Sequence, residues 1–249
     1  MYPQFGLKIW ATDIDLLEQA ATLMKDGTFQ FVEVAVVPGT PIEPFKSYPM
    51  PYVIHCPSDR FGFNIADPAR FKANERMLDE AIDWTSTLGS NIIVLHPGHG
   101  RLRHAIDFLR DIDCPGITIE NMPCAGLNGE HMIGYDKEQL VQLLDGRFGF
   151  CLDFTHAAKA AASLGRGYDE FLVGLTTLKP SLYHLSGYHP GAGADEHLDI
   201  DAGGHDLVFL HELIKNNKVV PSITFETPRA GRSLAADVYN KEVLVKAWQ

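Results

Sequence analysis

The chain has 249 residues, 45% of them hydrophobic, which is ample for a large core and matches the ~250 residues of a single (β/α)8 barrel. Its formal net charge of −11 excludes broad, non-specific association with nucleic acid through overall charge, but leaves room for a local basic rim around a cation-holding site. No apolar run approaches the ~20 residues of a membrane span. The opening MYPQFGLKIWATD lacks the basic and long apolar regions of a secretory signal, so a cytoplasmic protein with no membrane partner is expected.

Strand-like runs alternate with helical stretches along the chain. The runs are Phe5–Ala11, Phe29–Val37, Tyr52–His55, Asn91–His96, Gly116–Asn121, Phe148–Asp153, Ser181–Ser186 and Ser222–Glu226. Several are continuously apolar, as expected for strands covered by helices on one side and by a core on the other. Leu16, Leu17, Ala20, Ala21 and Met24 form one apolar helical stripe; Phe71, Met77, Leu78, Ala81, Ile82 and Trp84 form another. Asp13 and Asp136 are expected N-caps. Between the second and third runs, PGTPIEPFKSYPMP carries five prolines in fourteen residues, and a loop is expected in place of a helix. The last long connection, GYHPGAGADEHLDIDAGGHD, starts irregularly and is expected to turn helical near Asp206. Cys56, Cys114, Cys124 and Cys151 show no CxxC spacing and are expected to be free. Eight strands alternating with helices predict an α/β fold, a (β/α)8 TIM barrel, as one domain over residues 1–249.

The strand ends carry the chemistry. His55 ends VIH, His96 ends IIVLH, Glu120 ends ITIE and Asp153 ends CLD; His184 lies in LYHL and Glu226 ends ITFE. His156 follows Asp153 by three residues, and Asp195 and His197 sit in ADEH. In this fold the C-terminal strand ends converge on one mouth, and carboxylates are rarely buried there unless paired or metal-bound. Glu120, Asp153, His184 and Glu226 would make a mixed oxygen and nitrogen site suited to zinc, manganese or another divalent ion. His55 and His96 could hold a second ion, with Glu120 bridging. His156, Asp195 and His197 would form a third, imidazole-rich set, which favours zinc. Such a pocket suits phosphate-ester hydrolysis.

The ordered motifs VIHCPSDRFGFNIADP, VLHPG, IEN, LDFTHA, HLSG, ADEH and FETP resemble those of the endonuclease IV family of apurinic/apyrimidinic endonucleases, within the xylose-isomerase-like barrel superfamily. The resemblance runs from about His55 to Glu226. It implies a trinuclear zinc site: His55, His96 and Glu120 on one ion, Glu120, Asp153, His184 and Glu226 on the next, and His156, Asp195 and His197 on the third. It further implies cleavage of the DNA backbone 5′ to an abasic site by a zinc-bound hydroxide, with Glu120, Asp153 and Glu226 as the carboxylates of the reaction. Asn64 matches the family's asparagine-containing segment. Arg60, Arg101, Arg103, Arg229 and Arg232 lie on mouth loops as candidate phosphate contacts, with Asn64, Arg60 and Arg229 the expected substrate-binding residues. Two departures stand out: HLSG replaces the usual HLND-type sequence, and the proline-rich stretch offers only Lys46 and Tyr48 for DNA.

A second reading is a sugar or sugar-phosphate isomerase or epimerase with a single divalent ion. In relatives of that type two strand-end glutamates exchange protons with the substrate, here Glu120 and Glu226. The two readings differ in whether His55, His96, His156, Asp195 and His197 hold metal.

Overall fold

The computed structural model describes residues 3–191, 196–216 and 220–249. Eight parallel strands close into one barrel in chain order: β1 (Gln4–Trp10), β2 (Phe31–Ala35), β3 (Tyr52–His55), β4 (Ile93–Leu95), β5 (Ile117–Glu120), β6 (Gly149–Asp153), β7 (Leu182–Leu185) and β8 (Ser222–Phe225). Closure is completed by β1 pairing with β8, with Gln4 opposite Ser222 and Leu7 opposite Phe225. The helices are α1 (Leu17–Lys25), α2 (Glu43–Lys46), α3 (Phe71–Leu88), α4 (Leu102–Arg110), α5 (Lys137–Leu144), α6 (Phe154–Ser163), α7 (Tyr168–Thr176), α8 (Leu207–Lys215) and α9 (Ala235–Ala247). Among the described residues no helix is long and apolar enough to cross a membrane.

Side chains alternate across each strand, and the alternation sorts the core into two parts. Leu7, Ile9, Val32, Val34, Ile54, Ile93, Ile119, Leu152, Tyr183 and Phe225 point outward and pack under the helices with Leu17, Leu78, Leu140, Leu172 and Leu244. Phe31, Val53, Val94, Cys151 and Leu182 form a separate buried cluster inside the barrel. This second cluster is the apolar floor on which the mouth residues stand.

Several local expectations hold. Asp136 caps α5 by accepting from Gln139 N at 2.9 Å, and Asp206 caps α8 by accepting from Val208 N and Phe209 N, both at 3.0 Å. All four cysteines are free. Two expectations differ. The proline-rich stretch contains one turn of helix, α2, because Pro44 sits in the first helical turn, where a missing N–H costs nothing. Asp13 precedes a short 3-10 turn without capping it; its carboxylate accepts instead from Trp10 N at 3.0 Å.

Candidate metal centre

One titratable side chain reaches the mouth from every strand or from the residue just beyond it: Lys8, Glu33, His55, His96, Glu120, Asp153, His184 and Glu226. Glu33, Glu120, Asp153 and His184 are fully buried. Four carboxylates inside a barrel would be severely destabilising without compensating positive charge.

Glu120 is the hub. Its Oε2 lies 3.3 Å from His55 Nε2 and 3.0 Å from His96 Nε2. Its Oε1 lies 3.3 Å from His156 Nδ1 and 3.3 Å from His184 Nδ1. Each carboxylate oxygen therefore faces a different pair of imidazoles. Asp153 ends β6 and caps α6, its Oδ1 accepting from His156 N at 2.6 Å. That cap fixes the first turn of α6 and turns His156 back toward Glu120. His197 leaves the long β7–α8 connection with φ +46°, and its Nδ1 lies 3.1 Å from the Glu226 carbonyl and 3.4 Å from Glu226 Oε2. Asp195 lies outside the described residues. Among those that are described, His55, His96 and Glu120 form one group whose ligand atoms lie within 4.8 Å of one another, and Glu120, Asp153 and His156 form another.

Hydrogen bonding argues that a cation belongs between these groups. His55 Nδ1 donates to the Cys56 carbonyl at 2.7 Å, which leaves its Nε2 as a lone pair pointing at the Glu120 carboxylate. His184 Nε2 donates to Glu33 Oε2 at 3.0 Å, which points its Nδ1 lone pair at Glu226 Oε1, 2.8 Å away, and at Glu120 Oε1. A lone pair facing carboxylates is repulsive unless a proton or a metal ion sits between them. Glu120 Oε1 and His184 Nδ1 are buried with no hydrogen bond directed at them. The donor set thus fits divalent ions such as zinc or manganese.

The titration behaviour has the same origin. Burial pushes His184 down, yet Cys151, Glu33, Glu120 and Glu226 together hold it well above the usual histidine range. Cys151 is itself pushed far up by burial and stays a thiol, so the carboxylates are the charges that matter. Burial raises Glu120 and Glu226, but attraction to neighbouring groups dominates and holds both well below the usual carboxylate range, His184 leading for Glu120 and Lys8 then His184 for Glu226. The cluster favours ionised Glu33, Glu120 and Glu226 and draws a proton onto His184 when no metal competes.

Two members of the ring, Lys8 and Glu33, escaped the sequence reading. Lys8 Nζ lies 3.1 Å from Glu33 Oε1 and is ion-paired with Glu226. Thr224 Oγ1 donates to Glu33 Oε2 at 2.7 Å. The signal was present in FGLKIW and FVEVAVV, where a charge interrupts an apolar run. It lies inside the run rather than at its end, where a mouth-facing side chain is expected.

The expected substrate contacts divide. Arg60 is exposed at the mouth, its guanidinium 6.0 Å from the Trp10 ring centroid, and Trp10 meets Phe61 edge-on at 6.0 Å. Asn64 is buried, and its amide is committed to structure: Oδ1 accepts from Ala66 N at 3.1 Å and His99 N at 3.2 Å, and Nδ2 donates to the His99 carbonyl at 3.0 Å. Its amide thus staples the loops after β3 and β4 together. Arg229 likewise turns inward, donating to both Asp237 oxygens at 2.7 and 2.6 Å and to the Lys8 carbonyl. Arg103 pairs with Asp107, and Arg232 with Asp15. Arg101 is exposed just ahead of α4.

The profile of the xylose isomerase-like TIM barrel family matches residues 43–245. The chain belongs to the xylose isomerase-like TIM barrel family. Among curated proteins, it is 29% identical over 203 residues to the "probable endonuclease 4" of Oceanobacillus iheyensis, covering 72% of this chain and 67% of that protein. It is 28% identical over 206 residues to the protein of the same name from Bacillus subtilis, with the same coverage. The resemblance to endonuclease IV carried by the strand-end motifs is thus borne out. Solved structures extend the likeness of fold in two directions. Endonuclease IV from Thermus thermophilus superposes with a TM-score of 0.70 at 21% identity, covering 98% of each chain. A D-tagatose 3-epimerase-like protein superposes with a TM-score of 0.68 at 21% identity, covering 98% of this chain and 96% of the other. An L-ribulose 3-epimerase gives 0.70 at 13% identity, covering 99% and 94%.

Proposed function

We propose that this member of the xylose isomerase-like family is a zinc-dependent phosphodiesterase that cuts the backbone of damaged DNA on the 5′ side of abasic sites, in base-excision repair. The observation that carries the proposal is the Glu120 carboxylate, which faces His55 and His96 with one oxygen and His156 and His184 with the other. A single-ion isomerase needs no such bridge. His55, His96 and Glu120 would hold one ion, and Glu120, Asp153, His184 and Glu226 a second. His156 and His197 would contribute to a third, with Asp195. Divalent ions held there would supply Lewis acidity, polarising a phosphoryl oxygen and acidifying water.

The chain's own residues supply orientation and charge. The apolar floor of Phe31, Val53, Val94, Cys151 and Leu182 closes the barrel from below, so substrate enters only from the loop face. Glu226 sits at the rim side of the cluster within reach of Lys8, His184 and His197, placed to take a proton from a substrate hydroxyl or water above it. Exposed Trp10 and Arg60 with half-buried Phe61 form a stacking and cationic ledge beside the mouth, of the kind that holds an unpaired base.

One observation favours the alternative, a single-metal sugar or sugar-phosphate epimerase using Glu120 and Glu226. Arg103, Arg229 and Arg232 are engaged by neighbouring aspartates, which thins the positive surface that DNA would need. The test is elemental analysis of protein purified without added metals or chelators, followed by assay on a duplex bearing one abasic-site analogue. About three zinc ions per chain and a nick 5′ to the analogue are expected. One ion per chain, manganese above all, with intact DNA would refute the phosphodiesterase and favour the epimerase.

A further inference from the structure

Beyond the nine expected metal ligands, the mouth carries a buried ion pair from β1 and β2, Lys8 with Glu33. Both Lys8 and Glu33 precede residues 43–245, the stretch that matches the family. Glu33 is fully buried; its Oε2 is hydrogen-bonded, while its Oε1 receives no hydrogen bond and is held by an ion pair. Oε2 takes the Thr224 hydroxyl at 2.7 Å and His184 Nε2 at 3.0 Å, while Oε1 faces the Lys8 ammonium at 3.1 Å. Thr224 stands opposite His184 in the β7–β8 register, and Lys8 opposite Glu33 in the β1–β2 register. The contact therefore spans β1, β2, β7 and β8, around the point where the barrel closes.

We infer that Glu33, held by Lys8 and Thr224, is a positioning residue that fixes His184 as an Nδ1 metal ligand. An imidazole has two nitrogens, and whichever keeps its hydrogen cannot bind metal. Glu33 claims the hydrogen of Nε2, so the Nδ1 lone pair is left facing Glu120 Oε1 and Glu226 Oε1. A carboxylate behind a ligating histidine also raises the basicity of the imidazole and restricts its rotation. Lys8 adds a second effect: its ammonium lies between Glu33 and Glu226, which holds Glu226 beside His184 and keeps the two carboxylates from repelling each other.

Glu33 could instead be a direct ligand, since Glu33, His55, His184 and Glu226 place one ligand atom each within 4.8 Å of one another. Two contacts argue against this: Oε2 is taken by Thr224 and His184, and Oε1, which receives no hydrogen bond, is ion-paired with Lys8. An ion there would have to displace an ammonium already bound to two carboxylates.

The inference rests on the metal-centre reading, and the experiment separates the two. Zinc affinity and stoichiometry are measured by competition with a chromophoric chelator for the unaltered protein, Glu33→Ala, Glu33→Gln and Thr224→Val. Visible spectra of the cobalt-substituted forms report the ligand field. Removing an orienting carboxylate typically weakens metal binding ~10–100-fold. That loss is expected for Glu33→Ala, at one ion only, with the number of ions at saturating zinc unchanged and a shifted cobalt band. Glu33→Gln keeps an acceptor for His184 Nε2–H and is expected to recover most of the affinity. Thr224→Val, which removes one support from Glu33, is expected to move affinity the same way by less, and serves if Glu33→Ala fails to fold. Unchanged affinity in Glu33→Ala and Thr224→Val would overturn the positioning role. Loss of one whole ion at saturation in Glu33→Gln would overturn it in favour of direct ligation. Failure of the unaltered protein to bind zinc would instead refute the metal-centre reading beneath it.

Discussion

Gly98→Ala tests whether the loop after β4 is what places His96. Gly98 follows His96 and Pro97 and has φ +86°, a left-handed conformation that costs an L side chain ~1–2 kcal/mol. A Cβ there would fall 2.1 Å from Asn64 Oδ1 and 3.0 Å from Asn64 Cγ. Asn64 would have to leave, and with it three hydrogen bonds: from Ala66 N and His99 N, and to the His99 carbonyl. At ~1 kcal/mol each in net terms, these add to the backbone strain for a total loss of about 4 kcal/mol. For a chain of this size ~1 kcal/mol lowers Tm by ~2–4 °C, so a drop of about 10 °C is expected. His96 would also shift from its position 3.0 Å from Glu120, and one zinc ion should become labile. Thermal unfolding and zinc per chain are measured side by side, with Gly167→Ala as the control. Gly167 caps α7 with φ −65° and open space where a Cβ would go, so that change should cost no more than ~1 kcal/mol. If Gly98→Ala is as stable as Gly167→Ala and keeps all its zinc, the Asn64 staple does not organise the site.

Glu120→Gln should reduce zinc at saturation by more than one equivalent, because the lost charge serves both imidazole pairs; loss of a single ion by elemental analysis would show that Glu120 does not bridge. Excess chelator should lower the stability of the zinc-loaded protein by ~2.7 kcal/mol per site previously held at 100 times its Kd, and a melting curve indifferent to chelator would count against bound metal. His205 is pulled down to about 4 by burial, partly opposed by its hydrogen bond to the Ser186 carbonyl. Since the unfolded chain takes up that proton near 6.5 and the folded one does not, stability is full above pH ~6.5 and falls toward pH 4, by about 2–3 kcal/mol after allowing for partial contact of the ring with water. In His205→Gln that part of the pH dependence should vanish, which urea titrations at pH 7 and pH 4.5 would show. Trp10→Ala should weaken binding of an abasic duplex by ~1–3 kcal/mol if the ledge stacks a base, and unchanged affinity in a fluorescence titration would remove the ledge from the DNA interface.

Much of the fold was legible because the relevant forces are local. Apolar runs such as IIVLH and ITIE announce strands, and the alternation of runs with amphipathic stretches announces a parallel barrel. Six of the eight mouth residues were legible for the same reason: a charged or imidazole side chain ending an apolar run has to point somewhere, and the fold sends it to the mouth. Lys8 and Glu33 were missed because β1 and β2 run on past them, Trp10 and Ala35 being their last residues. Only the closed barrel shows that these mid-strand residues meet those at the strand ends, Lys8 pairing with Glu226 and Glu33 Oε2 lying 3.0 Å from His184 Nε2. The structural role of Asn64 was illegible for the opposite reason. Its segment matches a motif, but the partner that consumes its amide, His99, lies thirty-five residues away in sequence and becomes visible only when two loops meet.

The same distinction explains why hydrolase and epimerase readings can share one barrel floor. The ring of four carboxylates and their imidazoles dictates that cations collect there, but a cation polarises a phosphoryl oxygen or a sugar carbonyl equally well. What separates the two chemistries is the number of ions and the surface that receives the substrate. The first depends on whether His55, His96, His156 and His197 act as ligands or only as hydrogen-bonding neighbours of Glu120 and Glu226. The second depends on rim residues, where Arg229 turns inward to Asp237 while Arg60 stays exposed beside Trp10. A small sugar would be satisfied by one ion with Glu120 and Glu226. An abasic strand needs the ledge as well, since a backbone bent into this mouth leaves unstacked bases at its edge. Activity that survives loss of Trp10 and Arg60 therefore points to a small substrate, and activity that depends on them points to nucleic acid.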